Sequence, residues 1–167
     1  MIFRFLRMIF RSSEQKVAFF CKDREPQSDD QFLAECGLPA DPEATRATLA
    51  VRHAVANLGL VPPEFIRADD VYPDQLGMLP FWDSIDMMAY IWELEEQLGT
   101  RFTLEELEGP NFTEKEWELA RAPSAQERFW SGRFSVREMA AITYVMLLRR
   151  AKSSPKRVEG PSSSLPG

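Results

Sequence analysis

Helix-start signatures recur along almost the whole of this chain, and nothing in it alternates between apolar and polar residues as a half-buried strand would. The first amides of a helix have no partner inside it, so a Ser, Thr or Asp just ahead of the first turn is a strong boundary signal. Ser28 with Gln31 is a capping-box pair that opens a short helix over Asp29 to Cys36, closed by Gly37. Asp41 followed by Pro42 opens a second helix that Gly59 stops, and Ala44, Ala47, Val51, Ala54, Val55 and Leu58 give it one apolar face. Leu60 to Trp82 carries Pro62, Pro63, Pro73, Gly77 and Pro80, which predicts a long ordered loop with one helical turn near Pro63 to Ile66. The next helix starts at Asp83-Ser84-Ile85-Asp86 and runs to Gly99, with Met88, Ile91, Leu94 and Leu98 as its core stripe. Because Met87, Tyr90 and Trp92 are apolar too, its first turns are either central in the core or an exposed docking face. Thr103 with Glu106, Thr113 with Glu116, Ser124 with Glu127 and Ser135 with Glu138 announce the remaining helices. The expected class is all-α, a small helical bundle with a long first loop.

Composition narrows the function. In 167 residues there are 20 Lys+Arg against 26 Asp+Glu, a net charge of −6, which argues against nucleic acid as a partner because phosphate contacts need a basic face. Two cysteines and one histidine leave no disulfide framework, no metal site and little material for a Ser-His or Cys-His hydrolase; a reducing, cytoplasmic setting fits. His53, at the edge of the Pro42 helix, reads as a boundary residue. Asp69, Asp70 and Asp74 lack the loop pattern of a calcium site. No nucleophile has a base beside it, so an autonomous enzyme is not expected.

Three regions are expected: residues 1–28, a basic and apolar segment with a linker over Ser12 to Ser28; residues 29–150, the helical domain; and residues 151–167, a Ser- and Pro-rich tail read as disordered. In the first, Arg4, Arg7 and Arg11 fall at helical spacing among bulky apolar residues. Three readings stand: a short amphipathic helix over residues 1–11 that contacts an anionic membrane surface or a partner, a frayed terminus, or an upstream start codon with the true start at Met8. No apolar run is long enough to span a bilayer.

The order of a capped amphipathic helix, a long loop with Gln75-Leu76-Gly77, the Asp83-Ser84-Ile85-Asp86 start, then Leu94-Glu95-Glu96-Gln97-Leu98, Phe102 and Ser135-Val136 resembles the acyl carrier and peptidyl carrier protein superfamily, from about Pro42 to Arg150. That resemblance implies a carrier-like bundle and a protein that catalyses nothing alone. A separate phosphopantetheinyl transferase would attach 4′-phosphopantetheine to Ser84, and acyl-transferring enzymes would load and unload its thiol with intermediates of fatty-acid or secondary-metabolite biosynthesis. Asp83 and Asp86 would support attachment and docking, with Met87 and Tyr90 contributing to the docking face. Independently of any family, a hydroxyl at a helix start is accessible, and a phosphodiester there meets free amides and the positive end of the dipole.

The chain also departs from the pattern. Met78 to Trp82 lengthen the connection before Asp83, so that Phe81 and Trp82 stand directly ahead of the serine, where they shield an arm or cargo or else obstruct the transferase. Ala89 replaces a typically acidic docking residue, and Gly109 to Gly132 reads as an insertion before the last helix. Its aromatics, Phe112, Trp117, Phe129 and Trp130, read as core, and the glutamates from Glu105 to Glu118 as a solvated face. The alternative function is an unmodified carrier-like adaptor that binds a partner through Met87, Tyr90 and Trp92.

Overall fold

The computed structural model describes residues 2–82, 87–103, 106, 112–119 and 132–153, with side chains for all of these but 2–11, 87, 117, 119 and 153. It is an all-α bundle. The helices among the described residues are α1 (Ile2–Cys21), α2 (Asp29–Cys36), α3 (Pro42–Gly59), α4 (Met87–Leu98), α5 (Glu114–Leu119) and α6 (Val136–Ser153). Two antiparallel residue pairs, Val71↔Ser135 and Tyr72↔Phe134, join β1 (Val71–Tyr72) to β2 (Phe134–Ser135) and fasten the long loop to the start of α6. Such two-residue strands are too short to leave an alternating pattern in the sequence.

Helix α3 is the centre, packed against α6 and α4. Its buried side is wider than the expected stripe: Ala50, Ala56, Thr48 and Arg52 are buried as well, whereas Leu58 is only half-buried. Alanines at Ala44, Ala47, Ala50, Ala54 and Ala56 let neighbouring helices approach on several sides. Asp41 caps it, accepting from the Ala44 amide at 2.9 Å, and also accepts the Tyr144 phenol at 2.6 Å, which pins the start of α3 to α6. The Tyr144 bond holds the Asp41 carboxyl below its usual range. Burial, with Asp41 next to it, pushes the Tyr144 phenol up to about 12. At the other end the left-handed residue is Leu60 (φ 54°), not Gly59. Gly59 serves a close approach instead, since a Cβ there would lie 2.7 Å from Leu79 Cδ1.

The linker expected over Ser12 to Ser28 is helical down to Cys21 and belongs to the folded domain. Phe20 is buried, Val17 and Cys21 pack on the core, and Arg24 lies 3.8 Å over the Phe20 ring while pairing with buried Asp70 at 2.9 Å. At the opposite end α6 runs to Ser153, past the expected Arg150 boundary; residues 154–167 are outside the described residues.

The capping-box glutamates hold more than their own helix ends. Glu106 accepts the Thr103 amide at 2.7 Å and takes Arg150 through two nitrogens at 2.6 and 2.8 Å; Glu116 accepts the Thr113 amide at 2.8 Å and takes Arg149 at 2.8 and 2.7 Å. These two are therefore anchors for α6 rather than part of a solvated face. Phe112, buried beneath the Arg149 guanidinium at 4.5 Å, seats the start of the inserted segment on the same helix. The bonds from Arg150 and Arg149 hold the Glu106 and Glu116 carboxyls down at about 2 against an ordinary 4.5. A depressed folded-state value means that the unfolded chain takes up these protons first. Stability should therefore be intact above about pH 4.5 and decline as the pH falls toward 2. Each half-exposed pair is expected to contribute about 1 kcal/mol of that loss. Urea melts of the wild type and of Glu106→Gln/Glu116→Gln across this range check it: the double variant should show a shallower acid decline, and parallel curves would refute the assignment.

Candidate functional site

The loop that leads into α4 is held by its turns. Leu76 to Met78 form a 3-10 turn, Leu76, Leu79 and Pro80 are buried, and the Trp82 amide donates to the Leu79 carbonyl at 3.3 Å. Within this turn Phe81 takes φ 63°, a left-handed conformation uncommon for a bulky residue, and one that persists only when its neighbours over-determine it. Buried residues on both sides supply that constraint. The turn sends the two rings in opposite directions: Phe81 is 59% exposed and Trp82 is 0% exposed.

Trp82 is a core residue. Its indole N–H donates to the Val55 carbonyl of α3 at 3.3 Å, and its ring meets Tyr72 and Tyr90 at centroid distances of 6.0 and 6.1 Å. It moors the end of this loop against the central helix. Of the aromatic pair only Phe81 is free to act outside the core.

Asp83, Ser84, Ile85 and Asp86 lie outside the described residues, as does the Met87 side chain. In chain terms Ser84 falls two residues after moored Trp82 and three before Met87, the first residue of α4. Tyr90, expected on the docking face, is buried instead, and burial pushes its phenol above the ordinary range. Met88, expected in the core stripe, is 45% exposed. The inward stripe of α4 is Tyr90, Leu94 and Leu98 with Ile91 packed at its edge, which leaves Trp92, 60% exposed, as the helix's outward aromatic.

Toward the end of α4 an open groove of about 890 Å³ is lined by Trp92, Glu95, Glu96, Gly99, Thr100 and Arg101. Its buried carboxylate is already committed. Burial disfavours the Glu95 charge, but Arg101 at 2.6 Å and the Phe102 amide at 2.6 Å outweigh it and hold the carboxyl below its usual range, so it is not poised as a base.

The three aspartates of the long loop have structural partners. Asp69 pairs with Arg137 and Asp74 with Arg133, while Asp70 takes Arg24 and the Arg67 amide. His53 is half-buried on α3, and among the described residues no three His, Cys, Asp or Glu side chains stand close enough to hold a metal. Cys21 and Cys36 are free thiols, and burial raises Cys36 to about 12, out of the reactive range. No protein-family model, curated protein or solved structure matches the chain.

Proposed function

We propose that this is a carrier protein that bears a 4′-phosphopantetheine arm on Ser84 and passes acyl intermediates between partner enzymes as thioesters. The observation that carries the reading is the burial of Trp82: the ring two residues ahead of the serine in sequence is turned into the core and bonded to Val55, which anchors the end of the loop that leads into α4. The element order supports it as well, with a capped central helix, a long ordered loop, the helix that follows Ser84, and a final helix packed back on the first of these. Asp83 and Asp86 flank the attachment residue in sequence, and a phosphodiester at a helix start is favoured by first-turn amides and the dipole. Bound there, the arm supplies the thiol that this chain would otherwise have to offer from its two cysteines, of which Cys36 is buried. A mobile tether suits transfer between enzymes because it raises effective concentration without fixing a single pose.

The adaptor alternative loses one of its three contact residues, since Tyr90 is inside the core; Trp92 keeps an exposed aromatic on α4. Intact mass decides between carrier and adaptor. Co-expressed with a broad-specificity phosphopantetheinyl transferase, the wild type should gain the mass of one arm and Ser84→Ala none. A wild type of unchanged mass, alongside a control carrier that is modified, overturns the carrier reading.

A further inference from the structure

Helix α1 is far longer than its seat on the domain requires. Twenty residues from Ile2 to Cys21 make a rod of about 30 Å. Among the described side chains, those that attach it, Val17, Phe20 and Cys21, fall in its last two turns, and Ser12, Glu14 and Gln15 just before them are exposed. Continued toward Ile2 at helical spacing, the side defined by Val17, Phe20 and Cys21 carries positions Phe10, Ile9, Leu6, Phe3 and Ile2. Arg4, Arg7 and Arg11, at steps of three and four, share a separate stripe about a third of a turn from the centre of that side.

Charge identifies what such a helix suits. Through Lys22 the chain has Arg4, Arg7, Arg11, Lys16 and Lys22 against the single acid Glu14, although the whole protein is at −6. Helix α1 is thus net basic, with Arg4, Arg7, Arg11 and Lys16 against Glu14, in a protein that is acidic as a whole. Apolar positions along one side and arginines along a separate stripe suit insertion at a lipid interface, the apolar side among the upper acyl chains and the guanidinium groups at anionic headgroups. Spanning is not at issue, because among the described residues no helix is long and apolar enough to cross a membrane. Beside the seated end, the groove lined by Ser13, Glu14, Val17, Ala18 and exposed Leu60 extends apolar surface from α1 onto the tip of α3.

We infer that α1 docks the folded domain on an anionic membrane surface, lying in the interface plane. The inference is independent of the carrier reading: Ser84→Ala should leave membrane binding unchanged while abolishing modification.

The test is flotation of the full chain with vesicles of phosphatidylglycerol and, separately, of phosphatidylcholine. Binding is expected to the anionic vesicles only, and to weaken as salt screens the headgroups. Arg4→Gln/Arg7→Gln/Arg11→Gln should lower the affinity on the order of 100-fold, with the thermal melt unchanged. Leu6→Ser/Phe10→Ser, which keeps every charge, should also abolish most of the binding. Absence of binding to phosphatidylglycerol vesicles, equal binding to both vesicle types, or binding undiminished in the arginine variant each overturns the inference. So does a concentration-dependent dimer that ignores vesicles and is lost in the Leu6/Phe10 variant, which would assign the apolar side to a second copy of this chain.

Discussion

Replacing Trp82 with alanine is expected to lower folding stability by about 3–5 kcal/mol, the usual consequence of emptying a large aromatic site in a core. The residue is fully buried between the central helix and the loop, and its loss would remove the ring contacts to Tyr72 and Tyr90 together with the bond to the Val55 carbonyl. Tyr72 in turn stacks on Phe134 at 5.4 Å, so the empty site would open beside the strand pair that fastens the loop to α6. For a domain whose total stability is about 5–15 kcal/mol, this is a large fraction. Trp82→Phe keeps most of the packing and should cost about 1–2 kcal/mol, mainly an unmet carbonyl and a smaller ring. Phe81→Ala, one residue away but exposed, should stay within about 0.5 kcal/mol. Urea denaturation of the three variants checks the order. A Trp82→Ala loss near that of Phe81→Ala would show that the ring does not moor this loop. The proposed attachment site depends on that mooring, because the chain between Trp82 and α4 is short.

Helix ends were legible because capping is local chemistry. The Ser28–Gln31, Thr103–Glu106 and Ser135–Glu138 pairs form both capping-box bonds, Thr113–Glu116 forms the return bond to the Thr113 amide, Ser124–Glu127 lies outside the described residues, and Asp41 caps α3 as its Asp-Pro start predicts. Burial around α4 was less legible. When Met87, Met88, Tyr90, Ile91 and Trp92 are all apolar, periodicity has no polar side to orient it, and the core chose Tyr90 over Met88. The helical continuation of α1 was hidden for a different reason: Ser12 to Lys16 reads as linker by composition, yet its turns need only Val17, Phe20 and Cys21 to seat them. At the candidate site, the sequence marks Ser84 and its acidic neighbours, but two adjacent aromatics ahead of a helix carry no indication of which one enters the core. The left-handed turn at Phe81 decides it.

Arg52→Ala is the other substitution expected to cost about 3–5 kcal/mol, through buried acceptors left without their donor. Nothing in the sequence marks this residue: it lies among the alanines of α3, and two of its three hydrogen-bond partners are backbone carbonyls from distant segments. Its side chain is 1% exposed, donates to the Pro63 carbonyl at 2.8 Å, the Gln27 carbonyl at 2.8 Å and Asp29 Oδ1 at 2.6 Å, and lies 4.5 Å over the Phe32 ring. One planar fork thus ties the segment before α2, α2 itself and the long loop to the central helix. Removing it strands both carbonyls and leaves a void against Phe32. Lysine keeps a charge but not the fork, so Arg52→Lys should recover only part of the loss. Asp29, half in solvent, is the lesser partner, and Asp29→Ala is expected to cost at most about 1 kcal/mol. Denaturant melts should rank the variants Arg52→Ala, Arg52→Lys, Asp29→Ala in decreasing loss, and limited trypsin digestion should cut Arg52→Ala after Arg24 faster than the wild type. Equal losses for Arg52→Ala and Asp29→Ala would mean that the ion pair, rather than the carbonyl bonds, holds these segments together.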